Sequence, residues 1–580
     1  MLLPIAQLNF ILTSLAQNHY LSKARFLSPA ESSFPRGRDI VTAIVGSVII
    51  ADKTVQLCVG VKTNFPRSLP VIFLHPPDVF GVLPHLDNDD GYICYMQSEG
   101  LLLNASDSSG ILRDALERAI SVLYSGINGE NRLDFMDELP IYWEQVKAKT
   151  LPGFFLVDDV LRKVFVYSDK NGYQHVADSI EMTQAYFNGR KQGLNKLNRR
   201  AALYIPLNTE AFIMPPHRER IWTSAMIQQL IRTNLSWGNR QRLRLLQKPK
   251  FKDLMILGLP RPSGGKTLVG LDSTATIHRD PMRKDGKVTH SPQLIAIHRY
   301  DSGYLLPRGG GQTDLGSFRV ILVGCGSVGG YIAAGLVQSG IRHLTLVDAD
   351  RLTRENTFRH ILGMSAEGQH KVTALQNELE LKYPYLSITT HQMPIEEAIR
   401  GDLVNLSAFD LVIIAIGDPT AELYLNQLLH KECQCPIVVF TWVEPYGVGG
   451  HALLTRPGQL GCLQCLFTKA SDAERPLYNR SAFSDYGQSF SKDDLGCGSV
   501  YTPFRGMDAQ KTAEATVRLV VDGLLQHENQ SPLLSWKGRS EAFVDAGFKL
   551  SSRYLQTEDQ LRENRYCYVN PSCPVCGIKR

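Results

Sequence analysis

No run of about eighteen consecutive apolar residues occurs in the 580-residue chain, so a transmembrane helix is not expected. A strong charge of either sign is missing too. The 62 Lys and Arg stand against 57 Asp and Glu for a net of +5, too near balance to argue for a nucleic-acid partner. Residues 1–17 lack the basic start and small-residue cleavage site of a secretory signal and read as an amphipathic helix. Internal repeats and low-complexity tracts are absent as well. The eleven Cys are an odd number in a long chain without a signal, which argues against a disulfide framework. They imply a reducing, cytoplasmic setting in which thiols serve metals or catalysis. A chain this long exceeds a single core, so two to four domains are expected.

What is present centres on Phe318 to Arg359. Arg319 to Val323 is a short β-branched run, read as a buried strand. Gly324, Gly326 and Gly329 follow at the spacing of a dinucleotide-type turn, Val328 to Gln338 is apolar at helical spacing, and Gly340 would stop that helix. His343 to Val347 forms a second strand that ends on Asp348. Such a βαβ unit offers backbone N–H groups to phosphate and an acidic residue to a ribose hydroxyl. Alone, the glycine pattern most often means NAD or FAD. The residues after it do not serve hydride transfer: Asp350, Asn356 and Arg359, then Lys371 opening the next helix, then Asp418 after the buried strand Asp410 to Ile416. Splitting ATP between its α and β phosphates needs such cations for the pyrophosphate leaving group and carboxylates for Mg²⁺. Singly, Arg359 and Lys371 would be ordinary surface charges; in this order, with the two Asp and the glycine turn, they form a set.

This segment resembles the adenylyltransferase family of ubiquitin-activating enzymes and the thiamine- and molybdopterin-pathway sulfur-carrier activators, which adenylate the C-terminal carboxylate of a small protein. The resemblance implies that Gly324, Gly326 and Gly329 line the phosphates and that Asp348 meets the ribose. Asn356, Arg359 and Lys371 would contact phosphate, and Asp418 would hold Mg²⁺. The family places a further Arg before the first strand, and both Arg299 and Arg308 are candidates.

Residues 1–148 read as a helix, three antiparallel strands (Asp39 to Ile50, Thr54 to Lys62, Leu69 to Leu74), an irregular stretch with Cys94, and a helix over Ile111 to Leu123. That order is similar to ubiquitin-conjugating enzymes, which would make Cys94 a transfer cysteine; a buried apolar Cys is the plain alternative. The HisProAsn usual in that family is replaced by His85, Leu86 and Asp87, with Asn88 beyond. Residues 149–295 carry two strand-like runs, a helical run from Trp222 to Trp237 and polar loops, and read as a linker or docking domain. The basic run Arg240, Arg242, Arg244, Lys248 and Lys250 reads as a solvated helix face. From 296 onward, with Gly309 to Gly311 as a flexible approach, strand and helix alternate, which gives a mostly parallel sheet with helices on both faces.

Cys462 with Cys465, and Cys573 with Cys576, form two CxxC knuckles able to build a closed structural Zn²⁺ site, although 107 residues separate them. Sulfur-carrier activators show a similar split arrangement. Cys497 lies between glycines in a polar loop ahead of the helix Asp508 to Leu524, where a thiol can have a lowered pKa. It resembles the thioester cysteine of activating enzymes; an incidental loop Cys is the alternative. Cys325 reads as packing, and Cys58, Cys433, Cys435 and Cys567 have no assigned role.

The fold class expected is α/β multidomain: an α+β conjugating-like domain at 1–148, a linker domain at 149–295, and a Rossmann-like adenylation domain at 296–580. The whole order resembles the bacterial activating–conjugating fusions of CBASS antiphage operons. That resemblance implies ATP, Mg²⁺ and Zn²⁺ as cofactors, a cGAS/DncV-like nucleotidyltransferase as the protein conjugated, lysine-bearing targets and a homodimer, with neither nucleic acid nor membrane as partner. Two other readings stay open: a sulfur-carrier adenylyltransferase in which Cys497 or Cys94 handles persulfide, and a non-catalytic nucleotide-binding scaffold.

Overall fold

The computed structural model describes residues 21–577 apart from 32, 98–99, 146–148, 170, 184–196, 209–211, 217–221, 247–253, 273–292, 432–435, 470–476, 491 and 494–499. The expected N-terminal helix, Lys248, Lys250, Cys433, Cys435 and Cys497 lie outside the described residues. Among the described residues no helix is long and apolar enough to cross a membrane. The chain divides into two compact units. One takes in Met1–Leu151, Asp158–Lys163 and Ala201–His298; the other takes in Pro152–Val157, Val164–Arg200 and Arg299–Arg580.

In the first unit, β1 (Ser22–Leu27), β2 (Ile40–Ile50), β3 (Lys53–Lys62) and β4 (Val71–His75) form an antiparallel meander. The sequence shows three of these strands; β1 falls in a stretch whose exposed polar residues hide its pairing with β2. Ala51 and Asp52 join β2 to β3 with φ of 46° and 61°, the backbone that a tight hairpin requires. Val55, Leu57, Val59 and Val61 alternate onto one face of β3. Against that face lies α1 (Ser108–Ile127), whose Leu112, Ala115, Leu116, Ala119 and Leu123 make the apolar stripe. Each fully buried Leu or Val there contributes roughly 1.5–3 kcal/mol. Asp107 caps α1 by accepting the Gly110 N–H at 2.8 Å. Cys58 is on the opposite face among Ala43, Val45 and Phe73, and burial pushes its thiol up to about 12. Two short helices follow, α2 (Asp134–Asp137) and α3 (Leu139–Gln145). Trp143 of α3 is buried, donates to the Ile295 carbonyl at 2.8 Å and packs edge-on against Trp222. The helical run expected from Trp222 to Trp237 is two helices, Ser224–Asn234 and Trp237–Leu246, with Leu235 extended between them. The break follows Thr233 and Asn234, whose side chains donate to the Gln229 and Leu230 carbonyls.

The second unit is built on a seven-stranded sheet of order β7-β6-β5-β8-β9-β10-β11. Its strands are β5 (Arg319–Val323), β6 (His343–Val347), β7 (Ser387–His391), β8 (Leu411–Ile414), β9 (Ile437–Val443), β10 (Gly449–Thr455) and β11 (Leu533–Lys537). The first five pair in parallel, β10 pairs antiparallel with β9, and β11 pairs antiparallel with β10. The central strand β8 and the Val320–Val323 run of β5 are apolar because both of their faces are covered. Val320, Leu322, Leu344 and Ile413 face α4 (Ser327–Ser339), α5 (Lys371–Lys382) and α7 (Gly506–Leu524). Ile321, Val323, Ile414 and Phe440 face α6 (Pro419–Lys431) and the CxxC knuckles. Gly309–Gly311 is not a flexible approach: Gly309 caps a helix over Ser302–Arg308, and a Cβ on Gly311 would strike Leu306. The sheet's order reverses at β5, which leaves a crevice beyond the carboxyl ends of β5, β6 and β8.

Candidate active sites

The first site lies at that crevice. Gly324 leaves β5 with φ of +89°, and a Cβ there would meet the Ala415 carbonyl beyond β8. A Cβ on Gly329 would strike the Gly324 carbonyl. Gly326 is the N-cap of α4, so the turn presents the helix's first backbone N–H groups to the crevice. Asp348 follows β6 and fixes the turn: its Oδ2 accepts the Cys325 N–H at 2.6 Å and its Oδ1 the Asp350 N–H at 2.8 Å. Cys325 is fully buried, and burial raises its thiol well above the ordinary value, so it packs. Lys371, the first residue of α5, is nearly buried and reaches Asp350 at 2.7 Å, while the Asp350 carboxylate is largely exposed.

Asn356 and Arg359 sit on the segment after Asp348. Asn356 accepts from the Thr353 backbone at 3.4 Å in a capping box, which holds the short turn Arg354–Asn356. Arg359 is half-buried. One nitrogen donates to the Thr502 carbonyl at 3.4 Å, the guanidinium lies 4.9 Å from the Phe504 ring, and Nε has no partner. No carboxylate pairs with it among the described residues, and burial lowers its pKa. A desolvated cation without a counter-ion is costly unless an anion arrives. Asp418 follows β8 and is exposed; its Oδ1 accepts the Thr420 and Ala421 N–H groups at 2.9 and 3.4 Å, capping α6. Of the two earlier Arg candidates, Arg299 is bound to Asp301 at 2.7 Å, and Arg308 is exposed, stacked 3.6 Å over Tyr304.

Two supporting residues escaped the sequence reading. His360 is buried: Leu362 N–H donates to its Nδ1 at 3.1 Å, so Nε2 carries the proton and donates to the Cys325 carbonyl at 2.8 Å. It thereby ties the Arg359 segment to the glycine turn. Glu422, one turn after Asp418, is buried beneath the loop and accepts the Gly417 N–H at 3.0 Å; burial raises its pKa to about 8. The i, i+4 spacing from Asp418 was the one signal available.

The two CxxC knuckles converge. The Cys462 and Cys573 sulfurs are 3.7 Å apart, those of Cys465 and Cys576 are 3.4 Å apart, and all four lie within 4.8 Å of one another. Four thiolates about 2.3 Å from one Zn²⁺ would be separated by about 3.8 Å, so the donor set fits that ion. Cys497 lies outside the described residues; the paired strands Lys492–Asp493 and Val500–Tyr501 come before and after it in the chain.

The other site belongs to the first unit. Cys94 is exposed and follows an extended stretch in which Tyr92 bridges to Phe73 and Ile93 to Leu86. Its N–H donates to the His85 carbonyl at 2.8 Å. Burial, then the Glu138 carboxylate, raise the thiol's pKa, while a hydrogen bond from Tyr92 opposes them. His85 has φ of +64° and is gripped by Glu138 at 2.6 Å and Asp134 at 2.9 Å. The Glu138 hydrogen bond leads in raising its pKa to about 9. Asn88, the nearest residue to the missing Asn of the conjugating motif, donates its amide to the Gly81 carbonyl at 3.1 Å.

Comparison with known proteins names both parts. Residues 301–573 match the ThiF family, and residues 29–152 match the prokaryotic E2 family B. The chain is a fusion of an E2-like domain and a ThiF domain. It is therefore an enzyme of the ubiquitin-activating and ubiquitin-conjugating type, with the domain pair of the CBASS fusions. The ThiF assignment implies ATP-dependent activation, with ATP and Mg²⁺ in general terms. An ATP-dependent ubiquitin transferase-like protein Cap2 of Pseudomonas aeruginosa is 24% identical over 77% of this chain and 81% of its own. A protein of the same name from Escherichia coli is 26% identical over 49% of this chain and 45% of its own. A solved structure of E. coli MccB with a MccA variant overlaps 47% of this chain and 70% of its own at 15% identity, with a TM-score of 0.31, too low to carry an argument.

Proposed function

We propose that the protein activates the C-terminal carboxylate of another protein by adenylation, holds it as a thioester on Cys497, passes it to Cys94 and joins it to lysine amines of targets. Arg359 carries this reading: a half-buried guanidinium with no carboxylate partner among the described residues, on the segment that His360 ties to the glycine turn, suits a polyphosphate. In this reading Gly324, Gly326 and Gly329 leave room for the phosphates, Asp348 takes the ribose, and Asn356, Arg359 and Lys371 contact the phosphates, the two cations offsetting their charge. Asp350 and Asp418 offer carboxylate oxygen, and Mg²⁺ bound there would stabilise charge on the pyrophosphate. The substrate carboxylate attacks the α phosphorus, the bond to the β phosphate breaks, and an acyl-adenylate forms. Cys497 displaces AMP from it. Residues soon after Cys497 touch Arg359, since Thr502 and Phe504 are its neighbours, which suits delivery of that thiol to the adenylate. The Cys94 thiolate then takes the acyl group by exchange, and a lysine amine takes it from Cys94. Each thioester conserves the activation, so one ATP serves one conjugate.

The substrate we propose is a cGAS/DncV-like nucleotidyltransferase, as the CBASS domain pair suggests, acting in antiphage defence. Zn²⁺ in the four-Cys cluster, three domains at 1–148, 149–295 and 296–580, a homodimer and a cytoplasmic location complete the reading. The test is a non-reducing gel of the protein with Mg·ATP and the nucleotidyltransferase encoded beside it, with Cys497→Ala and Cys94→Ala alongside. The expected result is a thiol-labile adduct absent from Cys497→Ala and retained in Cys94→Ala. ATP-dependent pyrophosphate release without any adduct would overturn the two-thiol relay and favour sulfur transfer.

A further inference from the structure

Glu444, directly after β9, is a buried carboxylate that takes no part in the adenylation site. Its Oε1 accepts the Phe483 N–H at 2.6 Å and the His451 imidazole N–H at 2.7 Å. Its Oε2 accepts the Ser484 N–H at 2.9 Å and the Ser484 hydroxyl at 2.8 Å. Burial pushes its pKa up, but the hydrogen bonds from His451, Phe483 and Ser484 outweigh it and leave the carboxyl below its ordinary value. Burial lowers the His451 pKa, so the ring is neutral, and an Nε2 lone pair facing the carboxylate would repel it. Nε2 therefore carries the proton. His451 Nδ1 then accepts from the Ser535 hydroxyl at 2.8 Å, and that oxygen accepts from Arg553 at 3.0 Å. The network is complete and ionised, as a buried charge must be to persist.

What Glu444 holds is one end of a longer stretch. Ser484 begins and Pro503 ends the part of the chain that carries Cys497. In the same turn as Glu444, the Tyr446 N–H donates to the Pro503 carbonyl. Gly447 follows with φ of +68°, and a Cβ there would strike the Asp508 carboxylate, which accepts the Arg505 N–H at 2.9 Å. Thr502 and Phe504, on either side of Pro503, are the neighbours of Arg359. One turn between β9 and β10 thus fastens the outgoing end of the stretch by a side chain and the returning end by its backbone. The Phe483 carbonyl is also held, by the Ser551 N–H at 2.7 Å, so loss of Glu444 would shift the outgoing end without freeing it.

We infer that Glu444 is a positioning residue for acyl transfer to Cys497: its carboxylate sets the outgoing end of this stretch relative to the returning end that lies on Arg359. This rests on the reading of Cys497 as the first acceptor. In that step the Cys497 sulfur attacks the acyl carbonyl carbon and a C–S bond forms. The C–O bond to the phosphate breaks with its electron pair leaving on AMP, and the thiol proton goes to solvent. Glu444 moves no proton. The nucleotide site is built at the ends of β5, β6 and β8, so adenylation and transfer should separate when Glu444 is changed.

The full-length protein in a Cys94→Ala background, with Mg·ATP and the nucleotidyltransferase encoded beside it, gives both readouts. ATP–pyrophosphate exchange reports adenylation, and quenched-flow sampling on non-reducing gels times the thiol-labile adduct. Glu444→Gln keeps the size, but whichever way the amide turns, its NH2 faces a backbone N–H that the carboxylate had accepted. Exchange within about threefold of the parent is expected, with adduct formation slower on the order of 10–100-fold. Ser484→Ala removes a single bond from a half-buried side chain and should slow the adduct alone by about threefold or more, which keeps the test open where Glu444→Gln does not fold. A merely structural role would lower both rates together, so equal falls in exchange and adduct would overturn the proposal. Parental adduct rates in the folded variants would overturn it too. A parent that exchanges pyrophosphate without forming the adduct would instead remove the acceptor reading, and the inference with it.

Discussion

Arg359 and His85 are two half-buried cations with opposite surroundings. Arg359 lacks a carboxylate partner among the described residues, and burial lowers its pKa. Its removal should therefore leave the fold intact: Arg359→Ala is expected to keep or slightly raise the thermal midpoint while ATP–pyrophosphate exchange falls about 10²–10³-fold. Both readouts come from one preparation, and a large drop in midpoint would mean that the guanidinium is structural. His85 is instead held between Glu138 and Asp134, which raise its pKa from the ordinary 6.5 to about 9. A raised value means that the charged form stabilises the fold. That contribution is complete below about pH 6.5 and is lost as pH rises through about 9. The thermal midpoint of the wild type should thus fall between pH 6.5 and 9.5 by more than that of His85→Gln; equal slopes would refute the clamp. At this scale the sequence order alone located the glycine turn, Asp348 and Asp350 because they follow strands directly. His360 and Glu422 act through contacts with neighbours, and spacing does not show where a side chain's hydrogen bonds go.

At the scale of elements, the β5–turn–α4 unit depends on backbone approaching backbone. Because a Cβ on Gly329 would meet the Gly324 carbonyl oxygen, a group that cannot swing away, Gly329→Ala must shift either the turn or the helix. A cost of about 1–3 kcal/mol is expected, with loss of nucleotide binding, read by denaturant unfolding and by titration with fluorescent ATP. Normal binding in a stable variant would show that the turn is not the cradle. The knuckles predict a second elemental effect. If Zn²⁺ closes the Cys462, Cys465, Cys573 and Cys576 cluster, then a chelator or Cys573→Ser should lower the midpoint and release about one ion per chain, measured by mass spectrometry. Elements buried on both faces were legible as apolar runs: His343–Val347 ends where the sequence pattern ends. Partly exposed ones were not. Strand β1 is mostly exposed, and the helix Ser302–Arg308 has no buried residue to give it a period. The helical run from Trp222 was read through its break because Leu235 keeps the apolar spacing while its backbone is extended.

For the whole molecule, the order of the two thiols has a consequence in stoichiometry that gel mobility does not reach. Each adenylation releases one pyrophosphate, and a trapped acyl group blocks the next turnover. In Cys497→Ala the acyl-adenylate has no thiol to accept it, so the burst should stop at about one pyrophosphate per chain. In Cys94→Ala the first acyl group moves to Cys497, which frees the nucleotide site for a second adenylation. The burst should then reach about two before it stops. Wild type supplied with a lysine acceptor should turn over continuously, with AMP, pyrophosphate and conjugate in equal amounts. Quenched-flow counting of labelled pyrophosphate separates these cases. Equal bursts in the two variants would place both thiols at one step and break the relay. A burst of about two in Cys497→Ala and about one in Cys94→Ala would reverse its direction, making the exposed thiol of the E2-like domain the first acceptor.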